Sequence, residues 1–477
     1  MSIRIYNTTS RKKEEFIPLH GTQVNFYCCG PTVYDYFHIG NARPLIMFDI
    51  FRRYLEYRGF TVNYIVNITD IDDKIINRAA QEKTDYRTVA KKYTDAFFDG
   101  MEKLGVRPAT VHPFATEHIG DMISLVKTLV EKDHAYVVDG DVYFDVASFS
   151  PYGKLSGRDI EQLRAGARVD VDDRKRNPLD FALWKASKPG EPSWDSPWGP
   201  GRPGWHIECS AMSMRYAQGT LDIHAGGQDL VFPHHENETA QSEAATGKPF
   251  ARYWMHNGFL DIEGAKMSKS LGNFLTARDI LAKYDPMAIR MFFLLKHYRS
   301  PIDFSEERMQ EAHAAFLRLK YAYEKIERVS GNVSKEELDT LYSKNKSGEV
   351  REEIPQNKKN IEDALDDDFN TAQAMGFLFD IVRIVNNVDE NHEQAPVILR
   401  MAKDVFDTIG TGVFGLDFTS PAKTSGLSDS LITLLIELRE NARTSRDFAL
   451  ADTIRDRLGG LGVKLEDRPD GTTWRIE

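Results

Sequence analysis

The stretch from Val24 to Gly59 most constrains what this chain can fold into. Residues 24–29 alternate as a strand, Gly30-Pro31 breaks the pattern, and from His38 a run containing LIMFDIFRRYLEYRGF has helical apolar spacing that ends near Gly59. TVNYIVNITD then alternates as a second strand. Strand, turn, helix and strand within about 50 residues make a βαβ unit. Such a unit predicts a parallel sheet, with a ligand crevice at the carboxyl ends of its strands.

The α/β layer resumes after an interruption. LDIHAGGQDL (221–230) reads as a further parallel strand, PHHENETAQSEAATG as a helix, and Trp254 to Ile262 as another strand. Within the interruption, ASKPGEPSWDSPWGPGRPG (186–204) is predicted to be a surface loop. Its GPGRPG satisfies G-x-G-x-x-G, but two prolines and the lack of a preceding strand deny it the context of a dinucleotide loop. From about Ser305 the pattern changes to long helices, with 343–360 a linker or a solvated helix face. After PAKTSGLSD, two helices and a hairpin around Pro469-Asp470-Gly471 form a small last unit.

Composition narrows the class. At 477 residues the chain has room for two to four domains, and 41% hydrophobic with 28% charged residues excludes a disordered chain. No window approaches 18 uninterrupted apolar residues, and MSIRIYNTTSRKKEEF lacks the apolar core of a signal peptide. The chain therefore reads as cytoplasmic, with no membrane partner. A net charge of -11 argues against wholesale coating of nucleic acid and leaves room for local basic patches. Three cysteines, Cys28, Cys29 and Cys209, are too few for a disulfide framework, which leaves metal ligand, nucleophile or buried filler.

Three constellations carry chemistry. His38-Ile39-Gly40-Asn41, at the start of a helix, offers backbone N–H groups and a positive helix end to a phosphate. Gly40 lets a flat base approach, and His38 is placed to donate to phosphate oxygens; the plain alternative is a capping turn. Lys266-Met267-Ser268-Lys269-Ser270, framed by Gly264 and Gly272, describes a loop able to wrap a polyphosphate and neutralise departing pyrophosphate, or else a solvated charged loop. Finally, His234 and Glu238 stand four apart on one helix face, with His235 pointing elsewhere. With Cys29 at the end of the first strand and Cys209 in GWHIECSAMSMRYA, they make a scattered candidate Zn²⁺ set. Cys28 and Cys29 are strand neighbours facing opposite sides, so only one of them is expected to be a ligand.

HIGN and KMSKS, in this order and about 230 residues apart, resemble the two signatures of class I aminoacyl-tRNA synthetases. KMSKS is complete, whereas HIGN departs from the usual HIGH, so Asn41 can donate a hydrogen bond but cannot carry a proton charge. CGPTVYD, NITDIDDKI, GWHIECSAM, FPHHENE, KMSKSLGN, DALDDDFNTAQA and ARTSRDFALADTIRDRLGGLGV are similar to the cysteinyl-tRNA synthetase family, over residues 4–477. The resemblance implies an α/β, Rossmann-like parallel-sheet catalytic domain in two halves, 1–118 and 205–258, around a connective insertion, 119–204. A KMSKS and stem-contact region (259–304), an α-helical bundle (305–420) and a small α+β anticodon-binding unit (425–477) follow.

It also implies one Zn²⁺ on Cys29, Cys209, His234 and Glu238, joined by the substrate thiolate, and Mg²⁺ with ATP. Cys28 is then left to packing. The implied catalytic residues are His38, Asn41, Lys266 and Lys269, with Gly40, Gly226, Gly227 and Ser268 completing the ATP site. Gly30, Thr32, Thr69, Trp205 and Asp229 fall at the amino acid, and Asp70, Asp72 and Asp73 are structural or line the substrate. L-cysteine, ATP and tRNA(Cys) are the implied partners of a monomer, with Arg439, Arg443, Arg446 and Trp474 on the tRNA. Charge would not have shown that last role, since 429–477 holds eight Lys and Arg against ten Asp and Glu. A solvated helix and a core tryptophan are the plain reading there.

Zinc suits the substrate. Pocket shape alone rejects a near-isostere such as serine by only about a hundredfold. A soft thiolate binds Zn²⁺ far better than a hydroxyl does. Four protein ligands normally close a site, so Glu238 is read as the weak one. Two other readings are a ligase joining cysteine to an aminosugar, which lacks the terminal unit, and a non-catalytic zinc and RNA-binding module, disfavoured by intact His38, Lys266 and Lys269.

Overall fold

The structure, a computed structural model, describes residues 2–159, 174–262, 265–266, 275–330, 349–420, 427–461, 463–468 and 471–476. The βαβ unit forms as strand Gln23–Cys28, helix Ile39–Tyr57 and strand Thr61–Val66, the strands parallel with Val24 opposite Val62. Strand Leu221–Gly227 pairs in parallel on the other edge of Gln23–Cys28, and Ala251–Asn257 lies beyond it. Phe26, Tyr27, Ile65, Ile223 and Ala225 are fully buried, as a parallel sheet covered on both faces requires. At Gly30 the chain leaves the sheet so tightly that a Cβ would lie 1.7 Å from the Asn67 carbonyl oxygen. Only glycine fits there.

Three sequence expectations change. Residues 186–204 are not loop throughout: Gly201–Pro203 is an edge strand on Phe181–Ala186, where Pro203 is tolerated because an edge has one unpaired side. It completes an antiparallel sheet with Ala135–Val138 and Asp141–Phe144, beside helix Ile119–Glu131. The single strand expected from Trp254 to Ile262 is two, Ala251–Asn257 and Leu260–Ile262, which belong to different sheets. The helix expected from Pro233 begins only at Glu236, after a wide turn, Val231–His235, in which Phe232 is extended (φ -141, ψ 131). Pro233 is the cause, because a residue preceding proline is pushed out of helical geometry.

Helices Glu306–Ser330, Glu349–Asp366, Thr371–Asn387 and Ala395–Val405 follow. The acidic run Asp366-Asp367-Asp368 fastens them to the sheet layer. Asp366 accepts from the Tyr54 hydroxyl at 2.7 Å and pairs with Arg58, Asp367 pairs with Lys13 at 2.7 Å, and Asp368 accepts from Tyr298 and Arg299 at 2.8 and 2.7 Å. Phe369 stacks on Phe51 with ring centres 4.1 Å apart.

The chain divides into two compact units, Met1–Ala282 with Pro286–Ser420, and Lys283–Asp285 with Pro421–Glu477. The second holds helices Leu427–Thr444 and Phe448–Gly460 and the hairpin Val463–Arg468 with Gly471–Ile476, around Ile432, Ile436, Leu458, Val463 and Leu465. Among the described residues no helix is long and apolar enough to cross a membrane.

Arg290 and Asp49 form a fully buried pair at 2.7 Å. Replacing Arg290 by Met leaves Asp49 to Arg53 and Arg107, strips the donor from the buried carbonyls of Leu104 and Phe414, and is expected to cost about 3–5 kcal/mol. Lys91→Ala, in an exposed pair with Asp95, should change stability by about 0.5 kcal/mol or less. Denaturant midpoints of the two variants measure the difference, and equal shifts would contradict it.

Candidate active site and metal centre

The cleft forms where the strands end. His38 caps the helix Ile39–Tyr57: its Nδ1 accepts from the Asn41 backbone N–H at 3.2 Å, and Asn41 Oδ1 accepts from the His38 N–H at 3.4 Å. The two residues thus make a reciprocal capping box. Because a backbone N–H only donates, Nδ1 is the acceptor and the neutral ring carries its proton on Nε2. Asn41, where the motif departs from its usual spelling, therefore supports the turn through its side-chain oxygen.

A cleft of about 360 Å³ is lined by Cys29, Gly30, Thr32, His38, Gly40, Asn41, Trp205, Gly227 and Asp229. Thr69 and Gly226 stand behind this lining. Thr69 is 2% exposed, its hydroxyl donates to Glu208 at 2.8 Å, and its backbone exchanges hydrogen bonds with Pro31 and Val33. Gly226 leaves room for the His235 ring, which a Cβ would meet at 2.8 Å. Lys266 lies in a short strand, Ala265–Lys266, and Ser268 and Lys269 fall outside the described residues.

Cys29, Cys209, His234 and Glu238 are buried and offer ligand atoms all within 4.8 Å of one another. The two sulfurs lie 3.9 Å apart, Cys29 Sγ is 3.6 Å from Glu238 Oε1, and His234 Nε2 is 3.1 Å from the same oxygen. Burial pushes the Cys29 thiol and the Glu238 carboxyl well up and the His234 imidazole well down. Glu238 Oε2 is buried without a hydrogen-bond donor. Two thiols, an imidazole and a carboxylate deprived of water fit a soft divalent cation, which would offset the burial penalty on the Cys29 thiolate and the Glu238 carboxylate, while burial already keeps His234 in its neutral, ligating form. Behind them His206 Nδ1 lies 2.9 Å from His234 Nδ1, and Trp205 stacks on the His234 ring at 4.2 Å.

His235 does not point elsewhere. Its Nε2 is 3.3 Å from Cys29 Sγ and its Nδ1 is 2.7 Å from His256 Nε2. With His224, whose Nε2 lies 3.6 Å from the same sulfur, it makes a second four-donor set, Cys29, His224, His235 and Glu238. Helical spacing hid this, because the two histidines sit in the wide turn before the helix, where neighbours can both face inward. The signal for His224 was its place in LDIHAGG, two residues before Gly226 on one strand face. Cys28 is fully buried, with its thiol pushed up to about 12 by burial.

The acidic trio diverges into the fold. Asp70 accepts from the Thr116 N–H and hydroxyl at 2.9 and 2.6 Å, Asp72 caps helix Asp73–Glu82, and Asp73 pairs with Lys185 and Arg202. In the terminal unit, Arg439 is 4% exposed and held by both oxygens of Asp467 at 2.8 Å. Its reading as a tRNA contact is thereby corrected, since its charge is enclosed within the unit. Arg443 reaches the same carboxylate from a half-exposed position, Arg446 is exposed, and Trp474 packs half-buried on the unit's core.

Comparison with known proteins agrees with this arrangement. Residues 15–314 match the family described as tRNA synthetases class I (C) catalytic domain, and 360–419 match the DALR domain. The fold is similar to a Mycobacterium tuberculosis methionyl-tRNA synthetase in complex with methionyl-adenylate, at a TM-score of 0.58 and 14% identity over 82% of this chain and 92% of that one. It is also similar to an Agrobacterium radiobacter LeuRS in a ternary complex with tRNA and LeuAMS, at a TM-score of 0.61 and 11% identity over 86% of this chain and 88% of that one. Together these define a class I aminoacyl-tRNA synthetase.

Within the class, the chain is 51% identical over 496 residues to a cysteine–tRNA ligase of Pelobacter propionicus, covering all of both chains. It is 50% identical over 476 residues to that of Clostridioides difficile, covering 99% of this chain and all of that one. The chain belongs to the cysteine–tRNA ligase family.

Removing the Asn41 side chain takes away one half of the capping box. Asn41→Ala is expected to lower unfolding free energy by about 0.5–1 kcal/mol, and His38→Ala, which removes the cap itself, by about 1–2 kcal/mol. Unfolding midpoints of the full chain check the order, and a larger loss for Asn41→Ala would reverse the assignment.

Proposed function

We propose that the chain activates L-cysteine with Mg²⁺-ATP and transfers it to the terminal adenosine of tRNA(Cys). The observation that carries this reading is that Cys29, one member of the buried donor set, also lines the cleft whose rim is His38 to Asn41. Thiol recognition and nucleotide binding thus share one wall.

In the first step a cysteine carboxylate oxygen bonds to the α-phosphorus. The bond from that phosphorus to the bridging oxygen breaks, and pyrophosphate leaves with its electron pair. His38, through Nε2–H, and the helix N-terminus hold phosphate oxygens, with Asn41 keeping the turn in shape. Gly40, Gly226 and Gly227 make room on the adenosine side. Lys266 and Lys269 neutralise the leaving group, with Mg²⁺ supplying further positive charge when bound, and the Ser268 hydroxyl binds ATP. Gly30, Thr32, Trp205 and Asp229 enclose the amino acid, and Thr69 braces that wall.

Cys29, Cys209, His234 and Glu238 would hold Zn²⁺, which when bound supplies a soft Lewis acid for the substrate thiolate and so excludes serine. His206 fixes the orientation of the His234 ring. In the second step a ribose hydroxyl oxygen of the tRNA bonds to the activated carbonyl carbon. Its proton passes to a phosphate oxygen, and AMP departs with the electron pair of the broken bond.

Residues 1–118 and 205–258 serve as the catalytic halves around the insertion 119–204, with 259–304 contacting the acceptor stem and 305–420 forming the helical bundle. The terminal unit, 425–477, reads the anticodon through Arg443, Arg446 and the Trp474 face, and the enzyme works as a cytoplasmic monomer. An aminosugar ligase has no use for that unit.

ATP–pyrophosphate exchange should run with cysteine, exceed exchange with serine by well over about a hundredfold, and collapse on verified zinc removal. Equal use of serine, or full activity without zinc, would sink the reading. His234→Ala should abolish stoichiometric zinc, measured by elemental analysis, while His235→Ala retains it. The reverse pattern would assign the ion to the second donor set.

A further inference from the structure

Arg43, one turn into the helix that His38 caps, is 1% exposed. Its Nη1 donates to the carbonyls of Gly258 and Phe259 at 2.7 and 2.8 Å, and its Nη2 to those of Ser300 and Tyr298 at 2.6 and 3.1 Å. Among the described residues no carboxylate pairs with it. A buried guanidinium is costly unless its donors are met, and here main-chain carbonyls of two distant segments meet both Nη groups, with Nε left unbonded among the described residues.

Both segments lead into one small sheet. Gly258-Phe259 joins the catalytic strand Ala251–Asn257 to Leu260–Ile262, and residues 298–300 lead into Ile302–Phe304, the parallel partner of Leu260–Ile262. The other edge of Leu260–Ile262 carries Ala265–Lys266, with Lys266 opposite Asp261. The contact leaves no slack, since a Cβ on Gly258 would lie 2.6 Å from backbone atoms of Arg299 and Ser300. Two further bonds tie the same helix start to the chain beyond the KMSKS motif: Ala277 N–H to Phe37 O at 2.8 Å, and Ile39 N–H to Leu275 O at 3.3 Å.

We propose that Arg43 is a positioning residue for the ATP-consuming half-reaction, setting the backbone of Lys266 at a fixed separation from His38 by gripping the base of the sheet that carries it. This rests on the reading of His38 and Lys266 given above. A misplacement of about 1 Å in such a pair costs on the order of a hundredfold in rate. Lysine could not substitute, because its three donors radiate from one point whereas the guanidinium fork spans carbonyls of both segments. Transfer to tRNA makes no use of Lys266 and should not depend on Arg43.

The test uses the full-length, zinc-loaded enzyme with Arg43→Lys, Arg43→Gln and Lys266→Ala. Three quantities are measured: steady-state ATP–pyrophosphate exchange, single-turnover transfer from preformed enzyme-bound adenylate to tRNA, and unfolding midpoint. Arg43→Lys should lower the exchange kcat about 10- to 100-fold, leaving the KM for cysteine and the transfer rate within about twofold. Combining Arg43→Lys with Lys266→Ala should add little beyond Lys266→Ala alone. Should Arg43→Gln fail to fold, Arg43→Lys and restoration of exchange in Arg43→Ala by millimolar ethylguanidinium carry the same decision.

Equal losses in both half-reactions, unchanged exchange in Arg43→Lys, or full additivity with Lys266→Ala would overturn the proposal. If Lys266→Ala leaves exchange untouched, the assigned role of Lys266 falls and this inference with it. If Lys266→Ala slows exchange and Arg43→Lys does not, this inference alone falls.

Discussion

The cleft exists because strand Gln23–Cys28 is paired in parallel on both edges. Parallel pairing forces each neighbouring strand to return through a crossover, so the strand ends at Cys28, Val66, Gly227 and Asn257 gather on one side of the sheet. Cys29 leaves that edge with its N–H on the Ala225 carbonyl at 3.0 Å, and Gly30 turns beneath the Asn67 carbonyl. Everything chemical in the molecule hangs from those two residues. One side of the turn faces the donor set and the other leads to the His38 cap.

Burial then decides how the donor set behaves. Placing Cys29, His234 and Glu238 out of water disfavours the thiolate and the carboxylate and keeps the imidazole neutral, so a cation bound among them would offset the first two costs and find the third ligand ready. Five histidines, 206, 224, 234, 235 and 256, crowd within ring contact of one another around the set. Burial pulls His206, His224 and His256 down to about 3, so they stand neutral and can orient ligands without competing charge.

Much of this was legible in the chain. The βαβ unit could be read because alternation and 3.6-residue periodicity are local properties, and the observed elements end within a few residues of the turns at Gly30 and Gly59. The four zinc candidates could be named from residue type and strand position. The inward turn of His235 could not, because it depends on how Pro233 bends the chain before Glu236. Nor could the burial of Arg439, whose partner Asp467 lies on the hairpin strand Val463–Arg468, 28 residues away. Nor could the surroundings of Arg43, since nothing local reveals that its neighbours are bare carbonyls from residues 258–300.

The sequence by itself determined which chemistry was on offer: two phosphate-binding motifs in order, a thiol-rich donor set, and the periodicities of a parallel sheet interrupted once and followed by helices. Those are properties of residue type and short spacing, written in the chain whatever its path. Only the tertiary structure decided which of the histidines face Cys29, and that Asn41 braces His38. It alone decided that the acidic run Asp366 to Asp368 clamps helices to sheet, and that one buried guanidinium ties the His38 helix to the strand of Lys266. Apart from the local His38–Asn41 cap, each of these is a contact between distant segments, and its partner is set by the packing of the whole core rather than by any neighbour in sequence.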